Sequence, residues 1–161
     1  MTGMPEQDFD TEAGYVAAID AVLAVTQEAL CVFDGDLARM ELERQARCET
    51  LARILGACRE SRLRIVLHDP APLERHSPRL LKLLRDHSDR TEVRQTPKQL
   101  RHLADCFMLA DARHGVVRFH SQHARGKCFI GDGEAARPWH ERFEELWEAA
   151  IPCLAPTRLG L

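Results

Sequence analysis

Five consecutive apolar residues, Cys106-Phe-Met-Leu-Ala110, run without a break into Asp111. So short a run, without helical period, reads as a strand buried on both faces. Ala112-Arg-His-Gly115 reads as a tight turn, and Val116-Val-Arg-Phe119 as the returning strand. Lys127-Cys-Phe-Ile130 follows as a third strand close by. Two earlier runs have the same character: Ala29-Leu-Cys-Val-Phe33, closed by Asp34-Gly35, and Leu63-Arg-Ile-Val-Leu67, closed by His68-Asp-Pro70. Strands buried on both faces require helices on both sides of their sheet.

Helical spacing supplies those helices. Tyr15, Val16, Ile19, Val22 and Leu23 predict a helix over about 12–28, capped by Asp10 or Thr11. Leu42, Ala46, Leu51, Ile54 and Leu55 predict one over roughly 38–58. Ser77-Pro78 opens a third, with proline in its first turn. Thr91–Arg94 alternates as a strand, Pro97–Leu103 is a helical turn, and Pro138 starts the last helix. The tail from Ile151 is apolar but holds two prolines, so it is expected to pack back as an extended segment. Residues 1–10 read as a flexible acidic N-terminus, and 11–161 as a single α/β domain. Alternating units followed by a meander predict a mixed, mainly parallel sheet flanked by helices.

Composition narrows the setting. A chain of 161 residues buries one proper core. Eight acids precede the first base, Arg39, and the net charge is −3, so charge alone does not argue for nucleic acid. No apolar run approaches the ~20 residues of a membrane span. The N-terminus has neither the basic nor the apolar region of a secretory signal. Six cysteines form no Cys-x-x-Cys pair, and three of them lie in strand-like runs. A reduced, cytoplasmic protein is expected, with no membrane partner.

The hairpin ending at Asp111 resembles the one on which phospholipase-D-type phosphodiesterases carry a His-x-Lys-x4-Asp motif. With Asp111 set on that aspartate, Cys106 stands at the lysine position and Ala104 at the histidine position. The element order over about 29–150 is similar to one half of a phospholipase-D-like fold. Further words look like an uncharacterised bacterial domain family with a degenerate form of that fold. They are Arg142-Phe-Glu-Glu-Leu-Trp-Glu148, Thr157-Arg-Leu-Gly-Leu161, His76-Ser-Pro-Arg-Leu-Leu81, and Phe107–Asp111 with Gly115 and Arg118. Some members of that family are fused behind a GNAT-type N-acetyltransferase domain. The resemblance implies a fold without known enzymatic activity, no cofactor and no catalytic residue. It implies as partners a second copy of the chain or an acetyltransferase.

The rival reading is a phosphodiesterase or nuclease with a displaced histidine, His102, two residues before the motif position. A third reading is an anion- or nucleic-acid-binding domain. It uses the polar stretch 119–127, where His120, His123, Arg125 and Lys127, with Ser121 and Gln122, would clamp a phosphate. The bland alternative is a solvated hairpin loop. His120-x-x-His123 has zinc-like spacing, with Cys128, Asp132 and His114 as partners by sequence proximity alone; no metal is expected. Asp34, Asp36, His68 and Asp69 end two strands on one side, where open α/β sheets bind ligands. Asp69 and Asp111 equally suit simple turn caps. Trp139, Trp147, Ile151 and Leu154 are expected to form spare apolar surface for a homodimer.

Overall fold

The computed structural model describes residues 4–154. Thr157–Leu161 and the rest of the tail past Leu154 lie outside the described residues, as do residues 1–3. Among the described residues, eight strands make one mixed sheet. They are β1 (Met4–Phe9), β2 (Ala29–Asp34), β3 (Arg62–Leu67), β4 (Thr91–Gln95), β5 (Cys106–Ala110), β6 (His114–His120), β7 (His123–Ile130) and β8 (Ile151–Pro152). Their spatial order is β1-β7-β6-β5-β2-β3-β4-β8. The parallel pairings are β2–β3 and β3–β4, and the other five are antiparallel. The mixed sheet flanked by helices is as expected, but "mainly parallel" is corrected. β5 runs against β2, so the whole meander enters antiparallel.

The helices of the described residues are α1 (Glu12–Val25), α2 (Gln45–Ala57), α3 (Ala71–His76), α4 (Pro78–Asp86) and α5 (Gly133–Ala149), with a 3-10 turn at Lys98–Leu100. On one face of the sheet Leu30, Val32, Ile65, Met108 and Val116 pack with Tyr15, Ile19, Leu51 and Leu84. On the other, Phe33, Val66, Phe107, Val117 and Phe129 pack with Phe143, Leu146 and Trp147 of α5.

Three boundaries differ from the periodicity. α1 stops at Val25, because the next amides, Gln27, Glu28 and Ala29, donate to the Asp111 carboxylate at 2.8–2.9 Å. α2 begins seven residues late. Leu37 and Glu41 take left-handed backbone (φ 71° and 50°), which no helix tolerates, so Leu37, Met40 and Leu42 are buried from a loop. α5 begins at Gly133, capped by Asp132, whose carboxylate accepts from the Ala135 amide at 3.1 Å. Pro138 sits inside that helix and forfeits one backbone bond.

The expected flexible N-terminus is also corrected over its described part. β1 covers the outer edge of β7. Phe9 is buried against Tyr15 of α1, with ring centroids 5.5 Å apart. Lys127 of β7 binds Glu6 at 2.8 Å. Of the two acids in this strand, Glu6 is thus answered by a cation on the neighbouring strand.

The proposed dimer patch is mostly spent inside the chain. Trp147 is buried, stacked on Phe143, with the Arg94 guanidinium 4.0 Å from its ring centroid. Trp139 and Leu154 are partly buried against the two cores, and Ile151 alone of the four is exposed. The tail does pack back as far as Leu154, since β8 pairs with β4 and the Cys153 amide donates to the Val93 carbonyl.

Gly126 is where β1, β6 and β7 meet most closely. A Cβ there would lie 1.8 Å from the Val117 carbonyl oxygen and 2.7 Å from the Phe9 ring. Gly126→Ala is therefore expected to destabilise at the upper end of about 1–3 kcal/mol, measured by urea unfolding. An unchanged midpoint contradicts this close approach of β6 to β7.

Candidate functional site

β2 and β3 end, β5 begins, and β6 turns into β7 at the same edge of the sheet. This edge gathers the strand-end residues expected from sequence. Asp34, Asp36, His68 and Asp69 line one pocket of ≈ 340 Å³ with Arg39, Ser121 and Gln122. The contribution of the β6–β7 turn to that pocket was not expected.

Each of those polar groups is already engaged. The Asp34 carboxylate accepts from the Leu37 and Asp36 amides at 2.6 and 3.2 Å. Asp36 accepts from the Ala38 amide and Asp69 from the Ala71 amide. His68 spends both ring nitrogens, Nδ1 on Thr96 Oγ1 at 2.7 Å and Nε2 on the Leu103 carbonyl at 2.8 Å. With no free nitrogen, His68 has nothing with which to take or give a substrate proton. Among the described residues, the one trio of metal-ligating side chains close enough to share an ion is Glu28, Cys58 and Glu60, at the opposite edge, so the pocket carboxylates do not converge.

Behind the pocket lies a buried polar centre. Arg118 has no exposed surface. Its two terminal nitrogens donate to the two Glu12 oxygens at 2.8 and 2.9 Å, and Nε donates to the His120 carbonyl at 3.3 Å. Its guanidinium lies 4.7 Å from the Tyr15 ring centroid. Cys106 is Arg118's direct partner across β5–β6, and its sulfur is 4.0 Å from the Tyr15 hydroxyl. Burial, then the neighbouring Asp34, push the Cys106 thiol well above its usual range, so it stays a neutral thiol. Burial likewise raises Tyr15 and Asp34. The hydrogen bond from Arg118 holds Glu12 below the ordinary carboxylate range. Arg118 appeared in sequence only within the family-like words. The available signal was a charged residue inside an apolar strand.

The motif positions are accounted for. Ala104 is half-buried, and its carbonyl accepts from the Ser121 amide at 2.7 Å. Cys106 is packed. Asp111 stands at the far end of β5 with φ 55° and serves as acceptor for three backbone amides. His102 is exposed beyond the 3-10 turn.

The 119–127 residues separate. His120 and His123 face each other with ring centroids 5.1 Å apart, and His120 Nδ1 accepts from the Gln122 amide. Arg125 is exposed, next to a register break between Arg118 and His120. Lys127 is bound to Glu6 and lies about 13 Å along the strand from His123. The four do not form one clamp. His114, whose Nδ1 accepts from the Gly131 amide, and Asp132 sit at the other end of β6–β7, so the zinc set is not assembled.

Comparison with known proteins gives a family and a fold. A family model described as a domain of unknown function (DUF7931) matches residues 11–159. No curated protein matches. Among solved structures, the chain is similar to TrmBL2, an archaeal chromatin protein whose structure "shows a novel mode of DNA binding". That match has TM-score 0.68 and 14% identity, and covers 93% of this chain and 54% of the other. The chain thus spans about half the length of TrmBL2. It is also similar to Nuc from Salmonella typhimurium, a phospholipase D family member (TM-score 0.60, 10% identity, covering 94% and 99%). A third is NucT from Helicobacter pylori (TM-score 0.58, 8% identity, covering 92% and 99%). Identities this low show the fold, which is phospholipase-D-like. Among the described residues, no helix is long and apolar enough to cross a membrane.

Two outcomes follow from the aspartates. Asp111→Ala removes the acceptor of three amides and is expected to cost about 2 kcal/mol or more, with Asp111→Asn milder, measured by chemical denaturation. Asp34 has a folded pKa raised above its ordinary 3.8. Its contribution therefore favours the fold at low pH and is lost as pH rises through the raised value. Asp34→Asn is expected to gain stability relative to wild type between pH 3.8 and neutrality, and a pH-independent difference contradicts this.

Proposed function

We propose that this chain, which belongs to the DUF7931 family, is a non-catalytic binding module on a phospholipase-D-like fold. The observation that carries the reading is the state of the motif positions. Ala104 offers no nucleophile, and Cys106 is enclosed by Tyr15, Asp34 and Arg118 as a neutral thiol. A phosphodiesterase of this kind needs a histidine nucleophile, a second histidine as acid and cations on the phosphate. His68 has both nitrogens engaged, and His102 points out from a turn. The centre is degenerate in this reading, and the displaced-histidine enzyme has no geometric support.

A second reading, binding of phosphate-bearing ligands or a nucleic-acid backbone, is favoured by the placing of bases. Arg39, Lys98, Arg101, His102, His123 and Arg125 all lie at the pocket edge of the sheet. The fold is shared with a chromatin protein and with nucleases. A partner, whether a second copy or the GNAT-type acetyltransferase that the bacterial resemblance implies, would meet this edge rather than α5, because Trp147 is buried. Six free cysteines support a reducing, cytoplasmic setting.

The test is hydrolysis of bis(p-nitrophenyl) phosphate by wild type and by His102→Ala. Both are expected to match the buffer blank. Turnover in wild type that disappears in His102→Ala ends the non-catalytic reading. Salt-dependent retention of a single-stranded oligonucleotide checks the second reading.

A further inference from the structure

We propose that Arg118, assisted by Arg39, is a binding site for a single phosphate group, and that the Glu12 carboxylate keeps this site closed by occupying it. This deepens the binding reading above and rests on it.

The pair is lopsided. Arg118 is fully enclosed, whereas 60% of the Glu12 side chain is exposed. Here the guanidinium is fixed from within, by the His120 carbonyl, the Tyr15 ring and the Cys106 strand. Its two outward N–H groups form a fork, and what sits on that fork is a carboxylate open to water. Two oxygens about one fork-width apart are what a carboxylate and a phosphate share, and both are bound in the same bidentate geometry. The receptor is therefore preorganised, and its occupant is the exchangeable part.

A second cation addresses the same carboxylate. Arg39 NH1 lies 3.9 Å from Glu12, and the Arg39 side chain is itself 41% exposed. Two guanidiniums on one carboxylate leave a surplus positive charge when Glu12 is bound, and two charges for an incoming anion when it swings away. Arg39 also lines the ≈ 340 Å³ pocket and reaches Gln122 at 3.5 Å, so the same guanidinium stands between that pocket and the Glu12 carboxylate. Asp36 and Asp69 on the same pocket oppose anions, and a long polyanion more than one phosphate group.

Release of Glu12 asks little of the backbone. It is the first residue of α1, and the helix is capped independently by Thr11, whose hydroxyl accepts from the Gly14 amide at 2.9 Å. A change of side-chain rotamer clears the fork while Thr11, Tyr15 and the sheet stay in place.

The test compares phosphate binding by wild type, Glu12→Gln and the double variant Glu12→Gln/Arg118→Met. Binding is read as the rise in unfolding temperature with inorganic phosphate, at constant ionic strength set with sodium chloride. A closed site weakens apparent affinity by its open fraction, so Glu12→Gln is expected to bind roughly tenfold tighter than wild type. The double variant is expected to lose that gain. Equal affinity in Glu12→Gln and wild type overturns the proposal, and so does a gain that survives in the double variant. If Glu12→Gln fails to fold in chloride, recovery of its circular dichroism in phosphate supports the site; failure in both salts overturns it. A parallel titration with a short single-stranded oligonucleotide separates the sources: a larger gain than with inorganic phosphate assigns a backbone phosphate, an equal or smaller one a small phosphate ligand. Phosphodiester turnover by wild type would defeat the non-catalytic reading while leaving the phosphate result standing, so the two failures are distinguishable.

Discussion

One buried guanidinium organises the strand-end edge of this protein. A charge with no exposed surface is tolerated only when its hydrogen-bonding groups are met. Arg118 meets that demand with two parts of the chain: α1, through the Glu12 carboxylate with the Tyr15 ring beside it, and its own strand, through the His120 carbonyl. These contacts hold the first turn of α1 against β6. With α1 so placed, Tyr15 covers Cys106, Phe9 covers Tyr15, and β1 finds the open edge of β7. Breaking such a pair from one side typically costs about 3–5 kcal/mol, because a buried charge is stranded, whereas the intact pair need not add net stability. The arrangement thus specifies geometry more than it adds strength.

Two aspartates frame the sheet at opposite edges and do different work. Asp111 collects three amides at the start of β2 and ends α1. Asp34 collects two amides at the end of β2 and bends the chain into the loop that delivers Arg39. The motif aspartate therefore survives for a backbone reason, independent of any chemistry at Ala104 and Cys106.

Much of this was legible in the chain. The apolar runs at β2, β3 and β5 declared themselves through length and composition, and the strand-end aspartates and His68 do share a pocket. The failures have physical causes. Met4-Pro-Glu-Gln-Asp-Phe9 looks solvated because an edge strand needs apolar residues on one face only, and Glu6 is answered by Lys127 far along the sequence. The late start of α2 turns on left-handed backbone at Leu37 and Glu41, residues that carry no such signal. Trp147 looked like spare surface because Arg64 and Arg94, whose guanidiniums lie over its ring, are distant in sequence. The 119–127 cations looked like a cluster because spacing along the chain conceals the register break and the Glu6 pairing. Arg118 was visible as an odd charge in a strand, but its partner Glu12 is a hundred residues away and only the fold unites them.

The central claim is that the motif edge is a closed, packed centre rather than a working cleft. Native-state alkylation with iodoacetamide, resolved residue by residue by mass spectrometry, tests it directly. Cys58, half-buried beside Ser61, is the internal reference. The account predicts that Cys58 is modified in the folded protein while Cys106 stays protected until global unfolding. Modification of Cys106 as fast as Cys58, with circular dichroism unchanged, would show an open and reactive motif position and contradict it.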